Sequence, residues 1–95
     1  MNTKPIPLAK FRLGRIVITP NALANLTQED ILRGIQRHQT GDWGDFCAED
    51  RQINDQALVE GTRLLSAYRA GNGTKFWIIT EADRSVTTIL LPEDY

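Results

Sequence analysis

The chain has 95 residues and a mass of 10.7 kDa, with 41% hydrophobic and 24% charged residues. That is ordinary globular usage, and it excludes a disordered tail, a collagen-like chain and a multidomain enzyme. Eleven Lys and Arg face twelve Asp and Glu, a formal charge of -1 with a pI near 5.7. No strong field therefore draws nucleic acid or an anionic membrane, and neither is expected as a direct ligand.

The N-terminal stretch Met1-Asn2-Thr3-Lys4-Pro5-Ile6-Pro7 lacks the apolar region of a signal peptide. With its two prolines it reads as an irregular arm over residues 1–10, ahead of a single α+β domain over 11–95. Phe11 to Thr19 is β-branched and alternating, a strand stopped by Pro20. A short helical turn is expected over Pro20–Leu26. Thr27 then reads as an N-cap, with Glu29 and Asp30 in the first turn and Ile31, Leu32 and Ile35 along one face. This helix runs to about Thr40, with Gly41 just past its end.

Gly41-Asp42-Trp43-Gly44-Asp45 is turn-rich, and Asp45 is placed to cap a further helix carrying Ile53, Ala57 and Leu58 on its buried stripe. Gly61 ends it. Three strand-like runs follow, Arg63 to Arg69, Thr74 to Thr80 and Ser85 to Leu91, joined at Asn72-Gly73 and at Glu81-Ala82-Asp83-Arg84. The fold expected is α+β: about four strands in an antiparallel sheet, with two to three helices on one face. The apolar runs, such as Ile89-Leu90-Leu91, are far shorter than the ~20 residues a membrane span needs, so a cytoplasmic protein is expected.

Charge is unevenly distributed. Residues 1–40 carry six basic groups (Lys4, Lys10, Arg12, Arg15, Arg33, Arg37) against Glu29 and Asp30. Residues 41–60 carry six acids (Asp42, Asp45, Glu49, Asp50, Asp55, Glu60) against Arg51, and the remainder balances. Either the two halves pair with each other in the fold, or the acidic part faces a basic protein partner or mimics nucleic acid.

The segments Gly14-Arg15-Ile16-Val17-Ile18-Thr19-Pro20, His38-Gln39-Thr40-Gly41-Asp42-Trp43-Gly44 and Trp77 to Pro92 together resemble a family of small bacterial proteins often carried on plasmids and other mobile elements. The resemblance covers about residues 13–95. Some members carry restriction-modification names, but a chain of this length cannot hold a methyltransferase domain with its cofactor site. The resemblance thus implies a genomic setting and transfers no catalytic residue. The element order is also similar to that of RelE- and barnase-like ribonucleases, a likeness of topology only.

Four constellations invite chemistry. His38, Asp42, Asp45 and Asp50 could hold a hard or borderline cation, yet their spacing fits no metal motif and each acid has a simpler task at a turn or helix start, so no metal and no cofactor is expected. Cys47, the sole cysteine, permits no intrachain disulfide and no Cys-based zinc site; it could pair with His38 as a nucleophile, or be a small buried hydrophobe. Arg63, Ser66, Tyr68, Glu81, Asp83, Arg84, Thr87 and Thr88 crowd the terminal meander. In a metal-independent ribonuclease Glu81 would be the general base and Arg84 or Arg63 would stabilise the phosphorane, with Tyr68 nearby; otherwise they are a charged hairpin and β-forming threonines.

Trp77 and Ile79 share one face of their strand while Phe76 and Ile78 share the other, so the strand is apolar on both sides. The second face must be exposed, covered by the arm, or buried against another subunit. Trp43 is either a core plug or an exposed anchor. The favoured function is a small accessory protein that binds a protein partner, modulating or inhibiting a host or defence system. Its contact residues would be Asp42, Trp43, Asp45, Trp77, Glu81, Asp83 and Arg84, and a homodimer would form through the second sheet face.

Overall fold

In the computed structural model, which describes residues 8–95, the elements run β1 (Arg15–Ile18), α1 (Pro20–Asn25), α2 (Gln28–Gln39), α3 (Ala48–Glu60), β2 (Leu64–Arg69), β3 (Lys75–Thr80), β4 (Val86–Leu90) and a closing 3-10 turn (Pro92–Asp94). The expected arm at residues 1–10 lies outside the described residues apart from Leu8, Ala9 and Lys10, which are exposed. Among the described residues no helix is long and apolar enough to cross a membrane.

The α+β architecture and the four strands are as expected, with one difference in pairing. The sheet order is β1-β4-β3-β2; β2, β3 and β4 form an antiparallel meander, but β1 joins β4 in parallel, so the sheet is mixed. A hairpin turn fixes antiparallel pairing only between neighbours in sequence, and the whole helical section separates β1 from β4. β1 is also shorter than the run Phe11 to Thr19, because the chain bends at Gly14 and Phe11 turns inward against His38 and Trp43.

Helix α2 begins in a full capping box: the Thr27 hydroxyl accepts from the Asp30 amide and the Asp30 carboxylate accepts from the Thr27 amide. The Thr27 amide, with the Gly71 amide donating to the other oxygen, holds the Asp30 carboxyl below its ordinary range. α1 and α2 cover one sheet face, where Ala22, Leu26, Tyr68, Phe76, Ile78, Ile89 and Leu91 form the main core with Ile18, Ile31 and Ile35. Gly34 lets α2 come this close, since a Cβ there would lie 2.9 Å from the Phe76 ring.

Helix α3 differs from the amphipathic helix expected. Only Asn54 and Ala57 are buried along it, and Ile53 is 66% exposed. It lies along the free edge of β2, held by Asn54, whose side-chain amide donates to the Leu65 carbonyl and whose oxygen accepts from the Leu65 amide. The neighbouring segment seals the next rung: the Ala67 amide donates to the Trp43 carbonyl and the Asp45 amide to the Ala67 carbonyl. Gly44, at φ 84°, makes this approach possible, because any Cβ would strike the Ala67 carbonyl oxygen. The N-cap of α3 is Cys47 rather than Asp45, since Asp45 is engaged in that bridge.

Candidate functional site

The strand register separates the residues proposed for catalysis. Leu64, Ser66 and Tyr68 of β2 pair with Thr80, Ile78 and Phe76 on the helix-covered face, while Leu65, Ala67 and Arg69 pair with Ile79, Trp77 and Lys75 on the other. Tyr68 is buried, its hydroxyl donates to the Asp42 carbonyl, and the Arg37 guanidinium stacks over its ring at 4.5 Å. Burial raises its hydroxyl above the ordinary phenol range, so it stays protonated.

Arg63 and Glu81 meet at 3.6 Å at the opposite end of β2 from Tyr68, and Arg63 donates to the Tyr95 hydroxyl. Arg84 is turned elsewhere. With φ at 60°, it donates to the carbonyls of Thr62 (2.7 Å), Glu81 (3.0 Å) and Ala57 (3.3 Å), closing the C-terminal end of α3. Asp83 accepts from the amide and hydroxyl of Ser85, which lowers its carboxyl below the ordinary value. Arg63, Tyr68, Glu81 and Arg84 therefore do not converge, and Arg84 clamps backbone rather than presenting a free guanidinium.

The loop residues also take structural posts. Trp43 is the core plug of the two alternatives: 3% exposed, packed with Ala57, Leu64, Phe11 and Phe46, its indole N–H donating to Asp55. Asp42 accepts two bonds from Arg37, which keeps its carboxyl low. Among the described residues the ion pairs are Arg33–Glu29, Arg37–Asp42, Arg63–Glu81 and Arg69–Asp45. None reaches α3, so the acidic helix faces solvent instead of neutralising the basic first half.

His38, Asp42, Asp45 and Asp50 are not brought together, and among the described residues no group of three or more His, Cys, Asp or Glu is placed to hold a metal ion. Cys47 is exposed and near Asp50 rather than buried or paired with His38. His38 is fully buried and joins a chain the sequence did not disclose. Its Nδ1 meets Ser66 Oγ at 2.5 Å and its Nε2 meets Thr80 Oγ1 at 2.8 Å; Thr80 meets Thr87 at 2.8 Å, and Thr87 donates to the Leu13 carbonyl at 2.7 Å.

The last acceptor sets every proton before it. Thr87 spends its hydrogen on Leu13, so Thr80 donates to Thr87, His38 Nε2–H donates to Thr80, and Ser66 donates to His38 Nδ1. The imidazole is neutral: burial, aided by the positive charge of Arg84, lowers it from 6.5 to about 4. Enclosed between α2 and the sheet with the rings of Phe11 and Trp43 edge-on, His38 holds the fold together and touches no solvent.

On the second sheet face Ile79 and Leu90 are buried, and what remains open is its end around Trp77. Trp77 is half-buried there, edge-on to Tyr95 at 5.7 Å. It floors a groove of about 550 Å³ with Ala67; Phe46 and Pro92 contribute to the lining, as do Asp45, Arg69 and Lys75. Of the proposed contact residues, the groove unites Asp45 and Trp77. Arg69 and Lys75 were missed, although the Asn72-Gly73 hairpin already places them opposite each other beside Trp77. Comparison with family models, curated proteins and solved structures finds no match. The site is therefore read from its own chemistry.

Proposed function

We propose that the chain is a small cytoplasmic accessory protein that acts by binding a protein partner through the Trp77 groove. The family resemblance adds a setting: a mobile element, with a host or defence system as the machinery modulated or inhibited. The observation that carries the reading is Trp77 itself, a large aromatic left half-buried between Ala67, Phe46 and Pro92 with charged residues around it. Interface anchors have this form, an aromatic group in a shallow depression with a polar rim. Glu81 and Asp83, at the hairpin end of the same sheet, extend the surface with exposed or half-exposed acids.

Affinity capture from the native host, followed by reconstitution with the purified partner, tests this. Wild type is expected to retain a partner that Trp77→Ala releases, with near-UV circular dichroism confirming that the variant keeps its fold. A partner bound equally by folded Trp77→Ala protein defeats the proposal. Homodimerisation through the same face is tested by light scattering, where only a 10.7 kDa species at high concentration would remove it.

A further inference from the structure

Resting on the reading of this groove as the partner site, the geometry points to the kind of segment it takes: an extended peptide of the partner with an apolar residue and a carboxylate two positions apart. The apolar half of the site is Ala67 and Trp77, cross-strand neighbours, with Phe46 and Pro92 beside them. Two residues along β2, on the same face, Arg69 is paired across the strands with Lys75. Both are exposed. Arg69 lies 3.6 Å from Asp45, and Lys75 has no carboxylate within 4.0 Å among the described residues. Successive side chains of an extended segment alternate faces, so only residues two apart reach both halves of the site at once.

The backbone supplies the extended geometry. Even-numbered residues of β2 bond across to β3, as the Ala70 amide does to Thr74, and odd-numbered ones turn outward. Leu65 is taken by Asn54, and Ala67 by Trp43 and Asp45. Beyond Asp45 the chain veers off, with the Phe46 amide folding back onto the Gly44 carbonyl. The outward N–H and C=O of Arg69 then have no partner among the described residues, one open rung beside the two cations. An edge rung with alternating side-chain pockets is how sheets capture extended peptides.

The test is a nuclear magnetic resonance titration of the full chain, following the Trp77 indole. The probe is a seven-residue peptide of glycine and serine carrying one leucine and one glutamate separated by a single residue, in both orders. Its controls replace the glutamate with lysine or place it adjacent to the leucine. The spaced acidic peptide is expected to bind on the order of tenfold more tightly than the lysine control, two exposed charge contacts contributing a few-fold each. The adjacent control should be weaker than the spaced peptide.

Arg69→Glu with Lys75→Glu should invert the charge preference, and Asp45→Ala should strengthen the acidic peptide by freeing Arg69. Equal binding of the acidic and basic peptides, or a preference surviving the charge swap, overturns the inference. Should a host protein be captured in a Trp77-dependent way while the peptides show no preference, the inference falls and protein contact stands. A mass that doubles with concentration and is restored to the monomer by Trp77→Ala would make the occupant a second copy, and would likewise overturn it.

Discussion

Lowering the pH from 7 toward 4 places a proton on His38 in the unfolded chain before it does so in the folded one. The folded value is held at about 4 against an ordinary 6.5, so between those limits the unfolded state binds the extra proton and stability falls as pH falls. Each pH unit in that window removes about 1.4 kcal/mol, and the full descent about 3 kcal/mol, a large fraction of the roughly 5–15 kcal/mol that holds a typical domain. The loss has a simple atomic cause. A proton on Nδ1 abolishes the bond accepted from Ser66, with no carboxylate among its hydrogen-bond partners to receive the charge. The carboxyls held low by their bonds, Asp30, Asp42, Asp83 and Asp94, begin to lose their contributions only at the lower end of this window, as the pH approaches the unfolded carboxyl value of 3.8, and lose most of them below it. Urea unfolding followed by tryptophan fluorescence at half-unit steps from pH 7 to 4.5 measures the slope. In His38→Gln, less stable at neutral pH because Ser66 loses its acceptor, the slope should largely vanish. A wild-type curve that is flat across this range, or a variant that keeps the same slope, would refute the assignment.

The proton order in the buried chain makes His38 the Nε2–H tautomer, which long-range proton–nitrogen spectra at pH 7 will display; a protonated Nδ1 would contradict it. Gly34→Ala should destabilise by about 1–3 kcal/mol despite the better helix propensity of alanine, because its Cβ meets Phe76, and a rise in melting temperature would show that α2 can shift freely. Arg84→Ala should cost about 2 kcal/mol through the three carbonyls it abandons. Mixed RNA incubated with wild type and with this variant should remain equally intact; cleavage by wild type alone would restore the ribonuclease reading.

The parts of the fold set by local chemistry were readable in the sequence. Thr27 with Asp30 announced α2, Asn72-Gly73 announced the hairpin, and alternation in Phe76–Ile79 announced a strand apolar on both faces. What escaped were decisions made by distant partners. Nothing near Val17 says that β1 will pair in parallel with β4. Asp45 has the chemistry of a cap but is spent on the Ala67 edge, and the Trp43 indole found a pocket closed by Phe11, 32 residues earlier in the chain. His38, Ser66, Thr80 and Thr87 looked like four unrelated polar residues because their chain exists only once three strands and a helix are assembled. In the site, Trp77 was legible from strand alternation, whereas Arg69 and Lys75 required the register.

The attachment of α3 through a few polar bonds, from Asn54, Asp55, Arg51 and the Ala57 carbonyl, and a small apolar cluster, rather than through the main core, gives the molecule two tiers of stability. Segments that bury little apolar surface open at a lower free energy than the whole domain, so amides of α3 should exchange with solvent well before those of β3 and α2. When α3 lifts, the outward backbone groups of Leu65 lose Asn54 and become an unprotected strand edge on an otherwise intact sheet, the template that edge-to-edge aggregation requires. The shelf life of this protein in concentrated solution would then follow the opening of one helix, and a mutation that fastens α3 would slow aggregation far more than it raises the melting temperature.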